Sequence, residues 1–483
     1  MCSCAGNQWR GEKHKHVRKI PLMAFVFYDL ETTGISPAFD QPLQFAAVRT
    51  DDGLTEIERI NLRCRIAPHI IPSPQALIVT AVAPEQLVDP TLPSLFDFIQ
   101  TIMNLTERWA PATWAGFNSI RFDEEVLRHA FYQNLQPNIY ATQFNGNNRL
   151  DILTAVYAVW CRNPSLMRWP VDEAGRITFK LDRLAPVNGF NAHNAHDALG
   201  DVEATIHIAR IIANGDPALW LAILDNRDKQ NVMAKLESFR PLELVLRFGG
   251  GSPRAYVGCF CGIADGNPTQ AAFFDLEAGD PESLIEADDA TLFQAVDGTP
   301  LIIRSIATNK APLLFPIANP SSDHLRKAAL IARSPAFCAR VGKAMAERFI
   351  KKPPASLPPV EKQIYGEFYA KADRDLLAEF RLADWTRRRE IIDLLTDARL
   401  RQLGRRLIAF HAPEIMTTEE REKFRAFLCE RWNAPDAPET EWTTIASARR
   451  AIAELRTQLG TENIAIDEIA DFIEQMSNMV DHG

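Results

Sequence analysis

The stretch FVFYDLETTG, residues 25–34, sets two carboxylates at the end of what otherwise reads as a buried strand. Side chains at i and i+2 of a strand share a face, so Asp29 and Glu31 are expected side by side. Their charges repel, and partial desolvation at a strand end adds to the cost of ionising both. Other acids fall in comparable places. GFNSIRFDEEVL puts Asp123 just past a strand end, at the start of a helix, and AHDALGDVEAT puts His196 ahead of Asp201 at the start of another. Hard oxygen ligands of this kind suit Mg²⁺ or Mn²⁺, which bind through a few carboxylates and substrate phosphate oxygens. Two such ions about 4 Å apart activate a water and stabilise the leaving oxygen in phosphodiester cleavage. They would also relieve the repulsion between Asp29 and Glu31. Each piece alone has an ordinary reading: Asp123 as a helix cap, Asp197 or Asp201 on an exposed face, His196 or its neighbour His193 as a satisfied imidazole. The conjunction points to metal.

The elements that must position these groups are legible in outline. QFAAVRT and EIERINLRCRI flank the turn Asp51-Asp52-Gly53, a hairpin signal. ATWAGFN reads as a strand running into the helix DEEVLRHAFYQN, and further helices are expected at RLDILTAVYAVW and near 196–213. Strands alternating with helices in this order indicate a mixed α/β sheet. From about 217 to 350 a helix gives way to the short runs LELVLRFGG, AYVGCFCGIA, AAFFDLEA and TPLIIRSIAT, which suggest a small β-barrel with helical appendages. KKPPASLPPVEKQ then reads as a stiff linker over Pro353 to Pro359, and everything beyond it looks helical. The expected divisions are a flexible leader over 1–22, then 23–216, 217–352, the linker 353–359, and 360–483.

Bulk properties narrow the class. The chain has 483 residues, enough for about three domains, and its 46% hydrophobic and 24% charged content is ordinary for a soluble protein. No apolar run approaches the ~20 residues of a membrane span. The polar, basic first 22 residues lack the apolar core of a secretory signal, and Met23 is an alternative start. Eight cysteines without disulfide-like spacing fit a reducing cytoplasm. Cys2 and Cys4 with His14 and His16 lack the paired spacing of a zinc site, and Cys259 and Cys261 alternate with aromatics as core residues do. A net charge of −9 excludes indiscriminate charge-driven binding to nucleic acid but allows a local basic groove. Two basic regions qualify, 324–352 and the arginines from Arg387 to Arg406, although either also reads as a solvated helix face.

DLETTG, GFNSIRFDEEV and HDALGDVEAT resemble the three motifs of the DEDD exonuclease superfamily, histidine subclass, on a ribonuclease H-like fold. More narrowly, the chain is similar to the bacterial exodeoxyribonuclease I family. DQPLQFAAVRTD, FKLDRLAPVNGFNAHNAHDALGDVEATIHIA, NRDKQNVMAKLE, IATNKAPLL and IYGEFYAKADRDLL carry that likeness over nearly the whole chain from about residue 24. The resemblance implies a mixed-sheet exonuclease domain, a small SH3-like β-barrel domain and an all-α C-terminal domain, together forming a C shape around DNA. It implies processive 3′→5′ hydrolysis of single-stranded DNA by two metal ions, with release of 5′-mononucleotides, by a cytoplasmic monomer in DNA repair and recombination. Asp29, Glu31 and Asp201 would ligate Mg²⁺, with Mn²⁺ as a substitute, and Asp123 would complete the cluster. His196 would be the general base, and the backbone from Leu30 to Thr32 would lie against the terminal nucleotide. Lys180 stands where the family carries a DNA-contacting arginine, and Arg128 holds a matching basic position. Tyr140 and Phe144 fall in a loop whose aromatics stack on bases, which tolerates any sequence. The family also implies docking of the acidic C-terminal tail of single-stranded DNA-binding protein. A catalytically silent DNA- or repair-protein-binding scaffold and an exoribonuclease of the same superfamily are the alternatives.

Overall fold

The computed structural model describes residues 24–191, 197–348, 357–460 and 462–481. The leader, His193, His196 and the linker prolines Pro353 and Pro354 lie outside the described residues.

The first strand, β1 (Ala24–Thr32), sorts its side chains by parity. Phe25 and Phe27 face one core layer, while Val26, Tyr28 and Leu30 face another. β1 pairs antiparallel with β2 (Pro42–Thr50), which pairs antiparallel with β3 (Glu56–Arg63) across the expected turn at Asp51 to Gly53. On its other edge β1 runs parallel to β4 (Ala112–Gly116), and β4 parallel to β5 (Asn148–Asp151). The order β3-β2-β1-β4-β5 is the mixed sheet of a ribonuclease H-like exonuclease fold.

Helices cover both faces. Between β3 and β4 come α1 (Pro74–Thr80), α2 (Pro84–Val88) and α3 (Leu95–Arg108), then α4 (Asp123–Gln133) after β4. Phe98, Ile99 and Ile102 of α3 and Val126, Leu127 and Phe131 of α4 bury against the even face of β1. The odd face receives α5 (Ile152–Arg162), α6 (Leu181–Val187) and α7 (Ala198–Gly215), through Ala155, Val159, Leu184, Ala198 and Val202 among others. RLDILTAVYAVW is therefore not all helix. Its first residues finish β5, and Asp151 caps α5 by accepting from the Leu153 amide.

A second sheet holds β6 (Leu242–Leu246), β7 (Arg254–Ile263), β8 (Gln270–Asp275), β9 (Ile303–Ala307) and β10 (Leu314–Pro316) in the order β10-β6-β7-β8-β9, antiparallel throughout. Four of these strands match the four apolar runs of the sequence; three-residue β10 was too short to read. Cys259 and Cys261 are fully buried in its core, as expected.

From Lys371 to Asp481 the described residues form helices and no strand. This helical part is joined to the first sheet's layers by two shared cores. Phe96, Tyr132 and Leu135 pack with Val360, Leu377 and Phe380, and Leu43, Ile71 and Leu77 pack with Trp432, Ile445 and Ile473.

Candidate active site

Strand parity brings the first acids together. Asp29 and Glu31 share the face of β1 that carries Phe25 and Phe27, and this is the face on which α7 packs. The first turn of α7 holds Asp201. Ligand oxygens of Asp29, Glu31 and Asp201 lie within 4.8 Å of one another, and theirs is the group of acids able to share one ion among the described residues. A bulge between Glu31 and Thr32 ends the regular pairing with β2 and turns the chain away just past the cluster.

Asp123 arrives from the opposite face, at the first position of α4. Asp151 fixes its approach by accepting from the amide of Asn118 at 2.9 Å, which pins the turn between β4 and α4. Asp123 is buried and takes hydrogen bonds from its own amide and that of Leu30, so it touches the β1 backbone between the two β1 acids. It stands beside the converging group rather than in it.

The electrostatics are those of crowded, buried acids. Burial above all, then Asp123, Asp201, Glu31 and Asp197, pushes the Asp29 carboxyl well above the usual range. Burial and then Asp201, Asp123 and Asp197 push Glu31 to about 8, with Arg63 opposing weakly. Burial also lifts Asp123 to about 8, against the pull of its backbone hydrogen bonds. Gln44 donates to Asp197 at 2.8 Å, and Arg63 approaches it at 3.3 Å. Carboxyls gathered this closely fit a divalent ion held by oxygen ligands.

Behind Asp123 lies a charged centre that the sequence reading missed. Glu124 is 1% exposed and accepts from Thr142 at 2.7 Å and from the Tyr28 hydroxyl at 3.3 Å. Arg128 and Arg149 approach it at 3.1 and 3.4 Å. Arg149 also donates to the carbonyl of Asn309 at 2.7 Å, which ties this centre to the second sheet's part of the chain. Arg128, expected at the DNA strand, is enclosed by this centre. It is buried, paired with Glu124 and Glu125, and lies 5.0 Å from the Tyr140 ring, so its charge is spent inside the protein.

Of the other expected contacts, Phe144 and Lys180 are exposed. Phe144 is 54% exposed and its ring lies 6.2 Å from that of half-buried Tyr140. Lys180 is exposed and lines a cleft with Asp201, Asn118 and Arg121, to which the second sheet adds Arg247. Leu30, Glu31 and Thr32 line a separate cleft of ≈ 1070 Å³, closed on its far side by Trp442 and Arg450, which has room for a nucleotide.

Comparison with known proteins places this geometry. The Exonuclease family model matches residues 26–209, and the Exonuclease I C-terminal domain model matches 358–476. Exodeoxyribonuclease I of Haemophilus influenzae is 34% identical over 268 residues, 55% of this chain and 54% of that protein. Exodeoxyribonuclease I of Escherichia coli is 31% identical over 316 residues, 60% of this chain and 63% of that protein. The chain thus aligns with less than two thirds of the length of either relative. In three dimensions the likeness is longer. Exonuclease I from Methylocaldum szegediense matches with a TM-score of 0.79 and 26% identity over 95% of this chain and 99% of that one. E. coli exonuclease I in complex with a dA16 oligonucleotide matches with a TM-score of 0.78 and 24% identity, over 95% and 100%. From its exonuclease domain to its Exonuclease I C-terminal domain, the chain is exodeoxyribonuclease I-like.

Proposed function

We propose that this protein is a 3′→5′ exonuclease of single-stranded DNA that needs divalent metal and releases 5′-mononucleotides processively. The observation that carries the reading is the convergence of Asp29, Glu31 and Asp201 within 4.8 Å at the end of β1. The solved relatives bound to dA16 and dT13 oligonucleotides support the choice of substrate.

Asp29, Glu31 and Asp201 hold the metal, Mg²⁺ with Mn²⁺ as substitute, and Asp123 adds charge beside them. Two such ions, when bound, supply Lewis-acid activation of water and charge neutralisation at the leaving oxygen. The chain's own part is to bring the terminal phosphodiester to these oxygens and keep it there. Leu30 and Thr32 flank the terminal nucleotide in the Glu31 cleft, Lys180 meets the strand's phosphates, and Tyr140 with Phe144 offers faces for stacking. His196 takes the proton from the attacking water at a ring nitrogen, a role carried over from the motif. The protein acts as a monomer in the cytoplasm, in repair and recombination, and docks the acidic tail of single-stranded DNA-binding protein.

End-labelled single-stranded DNA, duplex DNA and RNA, each incubated with and without Mg²⁺, test this reading. Mononucleotide release from single-stranded DNA alone, abolished by EDTA and by Asp29→Ala or Asp201→Ala, is expected. Release from RNA in place of DNA would make the protein an exoribonuclease, and binding without release a scaffold. His196→Ala should lower the rate roughly 10²–10⁴-fold with metal binding retained. His193→Ala should be mild, and the reverse ranking would reassign the base.

A further inference from the structure

A cavity of ≈ 280 Å³ lies between the first sheet's part of the chain and the helical part, and it shares no lining residue with the Glu31 or Asp201 cleft. Its size suits one small molecule. Phe96 and Asn134 line it from the first part, Leu403 and Phe410 from the helices. Most of the wall is apolar, yet it holds polar groups that packing does not explain. His69 is 7% exposed and stacks on Phe410 with ring centroids 5.2 Å apart. Its buried Nδ1 has no hydrogen-bond partner among the described residues. Leaving such an atom unpaired costs about 1–3 kcal/mol, which a ligand group would recover.

His411 is a second imidazole in the same wall, and Arg65 and Arg406 are its guanidinium groups. Burial above all, then Arg431 and Arg406, holds His69 well below the usual imidazole range. Burial also brings His411 down to about 4, against Asp97 and with help from Arg388 and Arg65. Both rings are therefore neutral near pH 7, and each carries one donor and one acceptor nitrogen. Arg65 donates to the carbonyls of Pro90 and Leu92, each at 3.3 Å, and among the described residues it pairs with no carboxylate. Arg406 shares Glu361 with Arg431, at 2.6 and 2.9 Å, which leaves that trio net positive. The wall thus combines excess positive charge, aromatic faces and neutral hydrogen-bonding edges. A plain aromatic acid would answer the charge and the faces but leave the imidazoles unpaired. A nucleobase that carries a phosphate answers all three.

We propose that this cavity binds a nucleoside 5′-monophosphate, its phosphate toward Arg65 and Arg406 and its base among Phe96, Phe410 and the two imidazoles. The bound molecule touches the first sheet's part and the helical part together, so occupancy stabilises their assembly. The site stands apart from the acids and does not depend on the nuclease reading. Under that reading the ligand is of the class the enzyme itself releases, and accumulated product braces the helical part in place.

The test is calorimetric titration of the full chain with dTMP in EDTA, which keeps metal away from the acids. A single saturable site is expected, with thymidine or inorganic phosphate alone binding more weakly by about tenfold or more. Arg65→Gln should weaken dTMP binding about tenfold, the loss of one charge-assisted hydrogen bond. Val88 lines the cavity and is 57% exposed, so Val88→Trp should fill the space and block binding with the fold intact. Asp201→Ala should bind dTMP as wild type does, and a loss there would put the nucleotide at the acids and overturn the proposal. So would no binding at all, equal binding of benzoate, or wild-type affinity in both Arg65→Gln and Val88→Trp. Binding of dTMP by a chain that releases no nucleotide from DNA would uphold this site and defeat the nuclease reading.

Discussion

Glu31 illustrates what gathering carboxyls at a strand end costs a fold. In the metal-free fold its carboxyl holds a proton to about pH 8, against 4.5 for an ordinary glutamate. Between those values the native state binds more protons than the unfolded one, so stability falls as pH rises through that window. Asp123 contributes in the same direction. Thermal melts of metal-stripped protein should therefore show a decline from about pH 5 to pH 8 that is smaller in Glu31→Gln. Added Mn²⁺ should raise the melting temperature more at pH 8 than at pH 5, because protons and cation compete for the same oxygens. Identical pH profiles for variant and wild type would take Glu31 out of the charged cluster.

Among the elements, the turn that launches α4 leaves least room for change. A Cβ on Gly116 would sit 2.6 Å from the Ser119 Cβ and 2.8 Å from the carbonyl oxygen of Tyr28, the residue before Asp29. Gly116→Ala must displace either the turn that leads to Asp123 or the strand that carries Asp29. We expect about 1–3 kcal/mol of lost stability in urea melts, with a higher Mg²⁺ concentration for half-maximal activity; an unaltered metal requirement would argue that turn and cluster are independent. The parts legible in the sequence are those that depend on local period: the β1 acids, the hairpin, the second-sheet strands and α7. Helix α3 was legible too, with Ser94 as its cap and Phe98, Ile99 and Ile102 on one stripe, but was passed over. β5 was lost because Leu150 and Ile152 continue into a helical period. Burial of Arg128 and the seat of Arg247 had no local signal. The first follows from Glu124 turning inward, and the second from two rings far away in the chain.

At the scale of the molecule, the helical part is held against the first sheet's layers by packing and by buried charge. The two shared cores and a buried triad do much of that holding. Glu361 is 1% exposed, between Arg406 at 2.6 Å and Arg431 at 2.9 Å, and Arg431 donates to the His69 carbonyl at 3.2 Å. A chain cut near Ala355 would uncover Phe96, Tyr132 and Leu135 as well as Leu43 and Leu77, so truncation confounds processivity with stability. Glu361→Ala is the cleaner probe. It leaves two guanidinium groups without their counter-ion and should cost about 3–5 kcal/mol in denaturant titration. Under a cold-DNA trap its run length should shorten while single cuts continue, and equal run lengths would separate the packing of the helices from the grip on DNA.

The shared cores also bear on how the protein is made. Leu43 and Met476 belong to one core, and at about 5–20 residues per second of synthesis the first waits roughly 20–90 s for the second. Over that interval the nascent chain shows an apolar face suited to chaperones, beneath an acidic strand end whose supporting layers are incomplete. Assembly of this core is thereby postponed until the helix that carries Met476 has been made.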